Sequence, residues 1–332
     1  MERIGVGFSG GFQPKEIVEC VTYAETLGYD SAWVTEGHGG DQFTILTACA
    51  LATSRITLGT NISSVFARSA PTIAMAAACV DDFSDGRFIL GLGSSHQVQV
   101  VGEHGLEYSK PLSRIKESVD IIRTIWRDGE IRSYHGEIFN IEWFNLWFRP
   151  LRQALPIYLG AVNPRMLALT GEIAQGVILT RATLEQTRTA IAHVAAGQQH
   201  AGRAPSEVDI ATQLACSVSE NKDEARNRQK ERVAMYTARF PRYRKVMEEA
   251  GYAQELEAVR EAWLAGDQQR AQQLVPADLI DRMGAVGTPE EVRARIQAYR
   301  DVGVTLPIVM PNVDPDDTVA QTKELLRVCA PG

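Results

Sequence analysis

The chain of 332 residues is 45% hydrophobic and 23% charged, and 41 Asp and Glu against 34 Lys and Arg leave a formal net charge of −7. That balance argues against the basic stripe of a nucleic-acid binder and the polybasic patch of a membrane-surface protein. The composition excludes wholesale disorder, and the apolar run Ile73–Val80 falls far short of the ~20 residues a bilayer requires. No basic n-region and apolar h-region precede Ile4-Gly-Val-Gly-Phe8, so a cytoplasmic protein is expected. Cys20, Cys49, Cys79, Cys216 and Cys329 are widely spaced without a CxxC, which predicts buried free thiols rather than a disulfide framework.

Strand and helix alternate along the chain. Arg3–Phe8 reads as a first strand, followed by a helix over Pro14–Leu27 with Ile17, Val18, Val21, Ala24 and Leu27 on one face. Pro14 suits its first turn and Gly28 its C-terminal cap. Ser31–Thr35 is the second strand, trailed by a Gly-His-Gly-Gly loop and a helix over Gln42–Ala52. Ile56–Gly59, Pro71–Phe83, Phe88–Leu92 and Leu112–Arg127 continue as strand, helix, strand and helix. The aromatic, alternating stretch Tyr134–Arg149 predicts a small inserted hairpin. Three more strands (Pro156–Leu159, Gly176–Thr180, Val208–Ser217) enclose helices near Pro164–Glu172 and Leu184–Gln199. Residues 221–287 are charged and helical throughout, an insertion expected as a lid or wall between the seventh and eighth strands. Thr288-Pro-Glu-Glu291 restarts the pattern as a capping box, Leu306–Met310 is the last strand, and a final helix begins at Pro315. Eight strands alternating with helices is the count of one (β/α)8 barrel, with a doubly wound sheet as the rival.

Function in such a barrel sits on the loops that leave the C-terminal strand ends. After the second strand, Glu36 and His38 place a carboxylate and an imidazole two residues apart, suited to acid–base work. After the third, Asn61, Ile62, Ser63 and Ser64, with Arg68 beyond, can meet a ring system or a phosphate. After the fourth, Gly91-Leu-Gly93-Ser94-Ser95-His96 lets backbone N–H groups approach a ligand, with His96 as a further proton carrier. Its spacing is not the dinucleotide fingerprint. After the fifth, Gly160, Ala161, Val162 and Asn163 lead into a helix at Pro164, a geometry that suits anions. No metal site is expected: His104, His135, His193 and His200 lack neighbours with ligand spacing. The hydrolase, P-loop and kinase motifs are all missing from the chain, which turns the reading away from those chemistries.

The segment Ile56–Gly93 resembles the bacterial luciferase-like family of flavin and deazaflavin oxidoreductases. The likeness rests on Leu58-Gly59, Arg68, Pro71, Asp82, Ser84, Gly86, Arg87, Gly91 and Gly93. It continues through Pro111, Arg114 and Glu117, Pro156–Gly160, Ala174–Gly176 and Gly287-Thr-Pro-Glu-Glu291, essentially the whole chain. Within the family, the length of the helical insertion is similar to that of the methylenetetrahydromethanopterin reductase branch. The resemblance implies a luciferase-like (β/α)8 TIM barrel and an oxidoreductase that moves hydride to or from a small organic substrate on coenzyme F-420, an 8-hydroxy-5-deazaflavin. The ring would rest against Asn61–Ser64 and the tail near Gly93–Ser95 and Gly160–Val162, with Arg68, Arg165 and Arg181 as its cations. Glu36 or His38 would handle the substrate proton, with His96 in reserve. An FMN-dependent monooxygenase using oxygen is the alternative, and a non-catalytic flavin or pterin binder a second one. The resemblance also implies a cis Asn61–Ile62 peptide. Two departures touch the substrate side: Gly7 stands where the methanopterin reductases carry Glu, and Glu36-Gly-His38 where the family has adjacent Asp and His. The second and third helices are apolar nearly all round, which predicts a homodimer through them.

Overall fold

A computed structural model describes residues 2–331. Eight parallel strands close into a barrel: β1 (Gly5–Phe8), β2 (Ser31–Val34), β3 (Thr57–Thr60), β4 (Phe88–Gly93), β5 (Ile157–Gly160), β6 (Gly176–Thr180), β7 (Asp209–Val218) and β8 (Leu306–Pro311). Closure is complete, because β8 pairs with both β7 and β1 while β4 pairs with β5. The predicted strands are all present, displaced by a residue or two at their ends.

Volume decides the barrel interior. Trp33, Ile89, Tyr158, Ile178, Ala211, Leu306, Ile308 and Met310 fill it as one cluster. The Trp33 and Tyr158 rings lie 5.6 Å apart, and room for the indole comes from Gly59, where a Cβ would stand 2.4 Å from the ring. Large aromatics against bare glycines are one way to pack a closed barrel at crystal-like density. Outside, the apolar stripes of the helices cover the second face of each strand, joining Ile17, Val21, Leu46, Ile73, Ile122 and Leu326 into one larger core.

The turn before β4 explains the Ser84-Asp-Gly86-Arg87 sequence. Asp85 and Gly86 take positive φ of 52° and 80°, which aims Arg87 back across the base of two βα units. Its guanidinium donates to the carbonyls of Ser84, Ala50, Thr53 and Ile56 at 2.7–3.1 Å. Orphan carbonyls at the end of the Gln42–Ala52 helix are thereby satisfied. Nearby, Arg152 pairs with the fully buried Asp81 and donates to the Phe88 carbonyl at 2.6 Å.

Two connections depart from the simple alternation. The aromatic stretch forms two short ladders rather than one hairpin reaching Arg149: Tyr134–His135 pairs with Asn140–Ile141, and Phe144–Asn145 returns to Glu130–Ile131. The Glu117 carboxylate holds this stretch by accepting the N–H groups of Glu137, Ile138 and Phe139. Between β7 and β8 run the helices Lys222–Arg239, Pro241–Met247, Ala253–Leu264, Gln268–Leu274 and Ala277–Met283. The segment is not helical to its end, since Gly284–Gly287 pairs in parallel with β7. No helix among the described residues is long and apolar enough to cross a membrane.

Removing the Arg87 clamp strips charged donors from four carbonyls at once. We expect Arg87→Ala to cost about 3 kcal/mol, read as a lower urea midpoint with an unchanged slope.

Candidate active site

A cavity of about 610 Å³ opens at the C-terminal ends of the strands, within the size range of small-molecule sites. Its floor begins where β3 leaves the sheet. The Thr60 hydroxyl donates to the Gly91 carbonyl and accepts the Gly91 N–H, both at 2.8 Å. The next peptide, Asn61–Ile62, is cis. Pairing with β4 resumes at Ser63–Ser64, opposite Leu92 and Gly93. The intervening residues bulge into the mouth, with Ile62 seated between β4 and β5. A Cβ at Gly93 would lie 2.5 Å from Ile62, and one at Gly160 3.2 Å away. These glycines therefore make a slot for Ile62, a different role from the open approach of a ligand expected from sequence. Beside it Gln213 donates to Asn61 Oδ1 at 2.7 Å, and Ile178, Ala215 and Met310 complete the floor.

The expected residues divide. Glu36, Asn61, Ile62, Gly93, Ser94, Ser95, His96, Gly160, Ala161 and Val162 line the cavity together. Ser63 and Ser64 do not: they are buried behind the bulge, where strand pairing holds them. His38 does not either. Its side chain is 79% exposed and lies 3.1 Å from Glu103. Arg68 is also spent elsewhere, donating to Glu36 at 2.5 Å and pairing with Asp41. Glu36 accepts in addition the Ser64 N–H at 2.6 Å, so its carboxylate is fixed at the rim.

At the end of β4, Ser95 takes a φ of 52°, the left-handed conformation that non-glycine residues adopt mainly at constrained, often functional sites. His96 follows, its ring 4.4 Å from Tyr243 and 4.7 Å from Phe240, both edge-on. Burial, and then the nearby charges of Arg242 and Arg181, push its pKa down to about 4. His96 is therefore a neutral imidazole at physiological pH, able to hydrogen-bond but not to deliver a proton as imidazolium.

The insertion was expected as a lid or wall, but sequence reasoning missed the residues with which it lines the cavity. Arg232, Tyr236 and Phe240 recur every four residues, and with Arg242 and Tyr243 they face the cavity. The four-residue spacing of Arg and aromatics was the available signal. Arg181, at the end of β6 and also at a φ of 52°, stacks 3.6 Å over Tyr236. Arg242 donates to the Tyr108 hydroxyl, which donates to Ser94 Oγ, each at 3.2 Å. Arg165, Arg181, Arg232 and Arg242 all line the cavity, and none pairs with a carboxylate among the described residues. The acidic side chain on the lining is Glu36, already paired. The mouth of an acidic protein is thus strongly cationic.

The family model described as luciferase-like monooxygenase matches residues 3–306. The chain is 30% identical over 320 residues to a 5,10-methylenetetrahydromethanopterin reductase of Archaeoglobus fulgidus, covering 95% of each. It is 29% identical over 306 residues to an F-420-dependent glucose-6-phosphate dehydrogenase of Nakamurella multipartita, covering 88% of this chain and 85% of the relative. The solved structure of the coenzyme F-420-dependent tetrahydromethanopterin reductase of Methanopyrus kandleri superimposes with a TM-score of 0.87 at 25% identity, covering 98% of both chains.

The depressed His96 pKa has a thermodynamic consequence. Between its ordinary value of 6.5 and about 4, the unfolded chain binds a proton that the folded one refuses. Stability at this site is therefore full above pH 6.5 and is lost as pH falls toward 4. On acidification from pH 7 to 5 the wild type should lose up to about 2 kcal/mol more than His96→Gln, measured by urea unfolding at both pH values.

Proposed function

The chain belongs to the luciferase-like monooxygenase family, and from that premise we propose an F-420-dependent oxidoreductase that moves hydride to or from a small organic substrate. The carrying observation is the charge of the mouth. Arg165, Arg181 and Arg242 stand on the β4–β6 side of the cavity without carboxylate partners, in a protein of net charge −7. FMN and the deazaflavin share ring shape, ribityl chain and first phosphate, but the deazaflavin adds an acidic ring hydroxyl and a tail with several carboxylates. Such a tail matches an arc of unpaired arginines better than one phosphate does.

The residues present fit this group. The platform of Asn61 and Ile62 would hold the ring, and Ser94, Ser95, Ala161, Val162, Arg165 and Arg242 the phosphate and tail. When bound, the 5-deazaflavin supplies a hydride-carrying ring carbon that reacts poorly with oxygen. The protein's part is to fix the reacting carbon of the substrate at near-attack distance, ~3–3.5 Å, to exclude water, and to manage one proton. We assign that proton to Glu36, whose carboxylate is oriented by the Ser64 N–H and Arg68. A substrate other than methylenetetrahydromethanopterin is supported at Gly7. A side chain there would begin 2.3 Å from Met310 Sδ, so a thioether occupies the space a first-strand carboxylate needs.

Self-association belongs to the same reading. Leu51, Met75 and Phe83 are 69%, 42% and 49% exposed on the outer faces of the Gln42–Ala52 and Ala70–Phe83 helices, and a second copy would cover them. The cysteines are free thiols, as a reducing cytoplasm would keep them. Light scattering at micromolar concentration should give twice the 36.5 kDa chain mass; a monomer refutes the dimer.

Fluorescence titration should show F-420 binding at least about tenfold tighter than FMN, ~1.4 kcal/mol, with the margin shrinking as salt rises. Equal or tighter FMN binding, accompanied by oxygen consumption with a reductase, would transfer the protein to the monooxygenases. Glu36→Gln should lower kcat by about 10²-fold or more while leaving F-420 affinity within twofold.

A further inference from the structure

One cation reaches the side of the cavity opposite Arg165. Arg232, on the Lys222–Arg239 helix, reaches across the mouth to the end of β1, where it donates to Ser9 Oγ at 3.2 Å and to the Gly10 carbonyl at 3.4 Å. In the ring order β5-β6-β7-β8-β1-β2-β3-β4, β1 lies diametrically opposite β5. Arg232 is therefore on the far side of the cavity from Gly160–Arg165 and from the Ser94–Tyr108–Arg242 chain.

Its surroundings hold it without neutralising it. Both partners at β1 are neutral acceptors, which fix the guanidinium plane but supply no counter-charge. Glu231, the adjacent residue, is exposed to solvent. Burial lowers the Arg232 pKa most, and Arg181 lowers it too, against smaller opposing pulls from Tyr236 and Glu231. The Glu36 carboxylate is committed to Arg68 and the Ser64 N–H. A half-buried guanidinium facing a cavity with no carboxylate partner is stabilised by a ligand that brings the anion.

Resting on the oxidoreductase reading above, we propose that Arg232 is the substrate-anion anchor, and that the substrate is a small organic acid or phosphate ester. Its oxyanion binds Arg232 at the β1 side, and its reacting carbon lies over the Asn61–Ile62 platform. Planar guanidinium donors suit a carboxylate or phosphate oxygen pair. The fixing contacts to Ser9 and Gly10 orient those donors before the ligand arrives.

The test separates substrate from cofactor. F-420 affinity is measured by fluorescence for wild type, Arg232→Gln and Arg232→Lys. Inorganic phosphate and, separately, acetate are then titrated into F-420-loaded and cofactor-free protein by thermal shift at constant ionic strength. We expect F-420 affinity to change less than twofold in both variants. The shift produced by phosphate or acetate should fall about tenfold in concentration dependence in Arg232→Gln and be largely retained in Arg232→Lys. Whichever anion gives the larger shift identifies the phosphate-ester or the carboxylate class. The proposal is overturned if Arg232→Gln weakens F-420 binding tenfold, which would make Arg232 a cofactor contact. It is equally overturned if neither anion stabilises the wild type, or if the Gln variant responds as the wild type does. Should the wild type fail to bind F-420 at all, the cofactor reading falls, while the anion response of the cofactor-free protein still decides the role of Arg232.

Discussion

The seating of Ile62 between β4 and β5 organises the catalytic end of the barrel. For the chain to cross there, Gly93 must be bare, Gly160 leaves only a tight fit, and Thr60 bridges to Gly91 through its hydroxyl. Once Ile62 is down, Asn61 is turned to Gln213 across the barrel, and Ser63–Ser64 resumes pairing behind the platform. The Ser64 N–H then meets Glu36, Glu36 holds Arg68, and Arg68 holds Asp41 at the start of the next helix. One packing event thus positions the floor, the rim carboxylate and the helix cap behind it. These are short, well-packed contacts on rigid strands, which is where precise placement of a reacting group is possible.

The electrostatic design inverts the protein's average. A net charge of −7 would repel an anionic ligand at long range, yet the cavity concentrates unpaired arginines behind walls of aromatic side chains. Low-dielectric walls focus that field into the mouth. The partial burial of Arg181, Arg232 and Arg242 strengthens their attraction to an anionic ligand. His96 illustrates the reverse consequence: burial first, and then the Arg242 and Arg181 charges, lower the pKa of its ring, so acid–base duty shifts to the carboxylate side of the cavity.

Much of this was legible in the sequence, and the misses have physical causes. The strands were readable because both faces of a barrel strand are buried, giving short apolar runs between helical stripes. The candidate loops were readable because strand ends define the mouth of any such barrel. Side-chain direction was not. Glu36 and His38 sit two residues apart, but one turns in to Ser64 while the other turns out to Glu103. The Gly91–Gly93 pattern has the same sequence signature whether a phosphate or the protein itself needs the space, and here the Thr60 carbonyl takes it at Gly91 and Ile62 at Gly93. The arginines of the insertion showed only a four-residue spacing, because their partners lie far along the chain: Arg232 meets Ser9, and Arg242 meets Tyr108.

The insertion can carry specificity because its packing is largely its own. Val233, Met247, Leu256, Val259, Leu279 and Ile280 form a core separate from that of the barrel. One face of the Lys222–Arg239 helix joins that core, while Arg232 and Tyr236, a turn apart, present the other to the cavity. Changing Arg232 or Tyr236, which belong to neither core, therefore leaves both cores filled. The barrel, by contrast, has no such freedom at its floor, where a single methyl at Gly93 would collide with Ile62. A rigid floor that accepts the common part of a ligand, beneath an independently packed wall that reads the variable part, allows the substrate to change while the cofactor platform stays fixed.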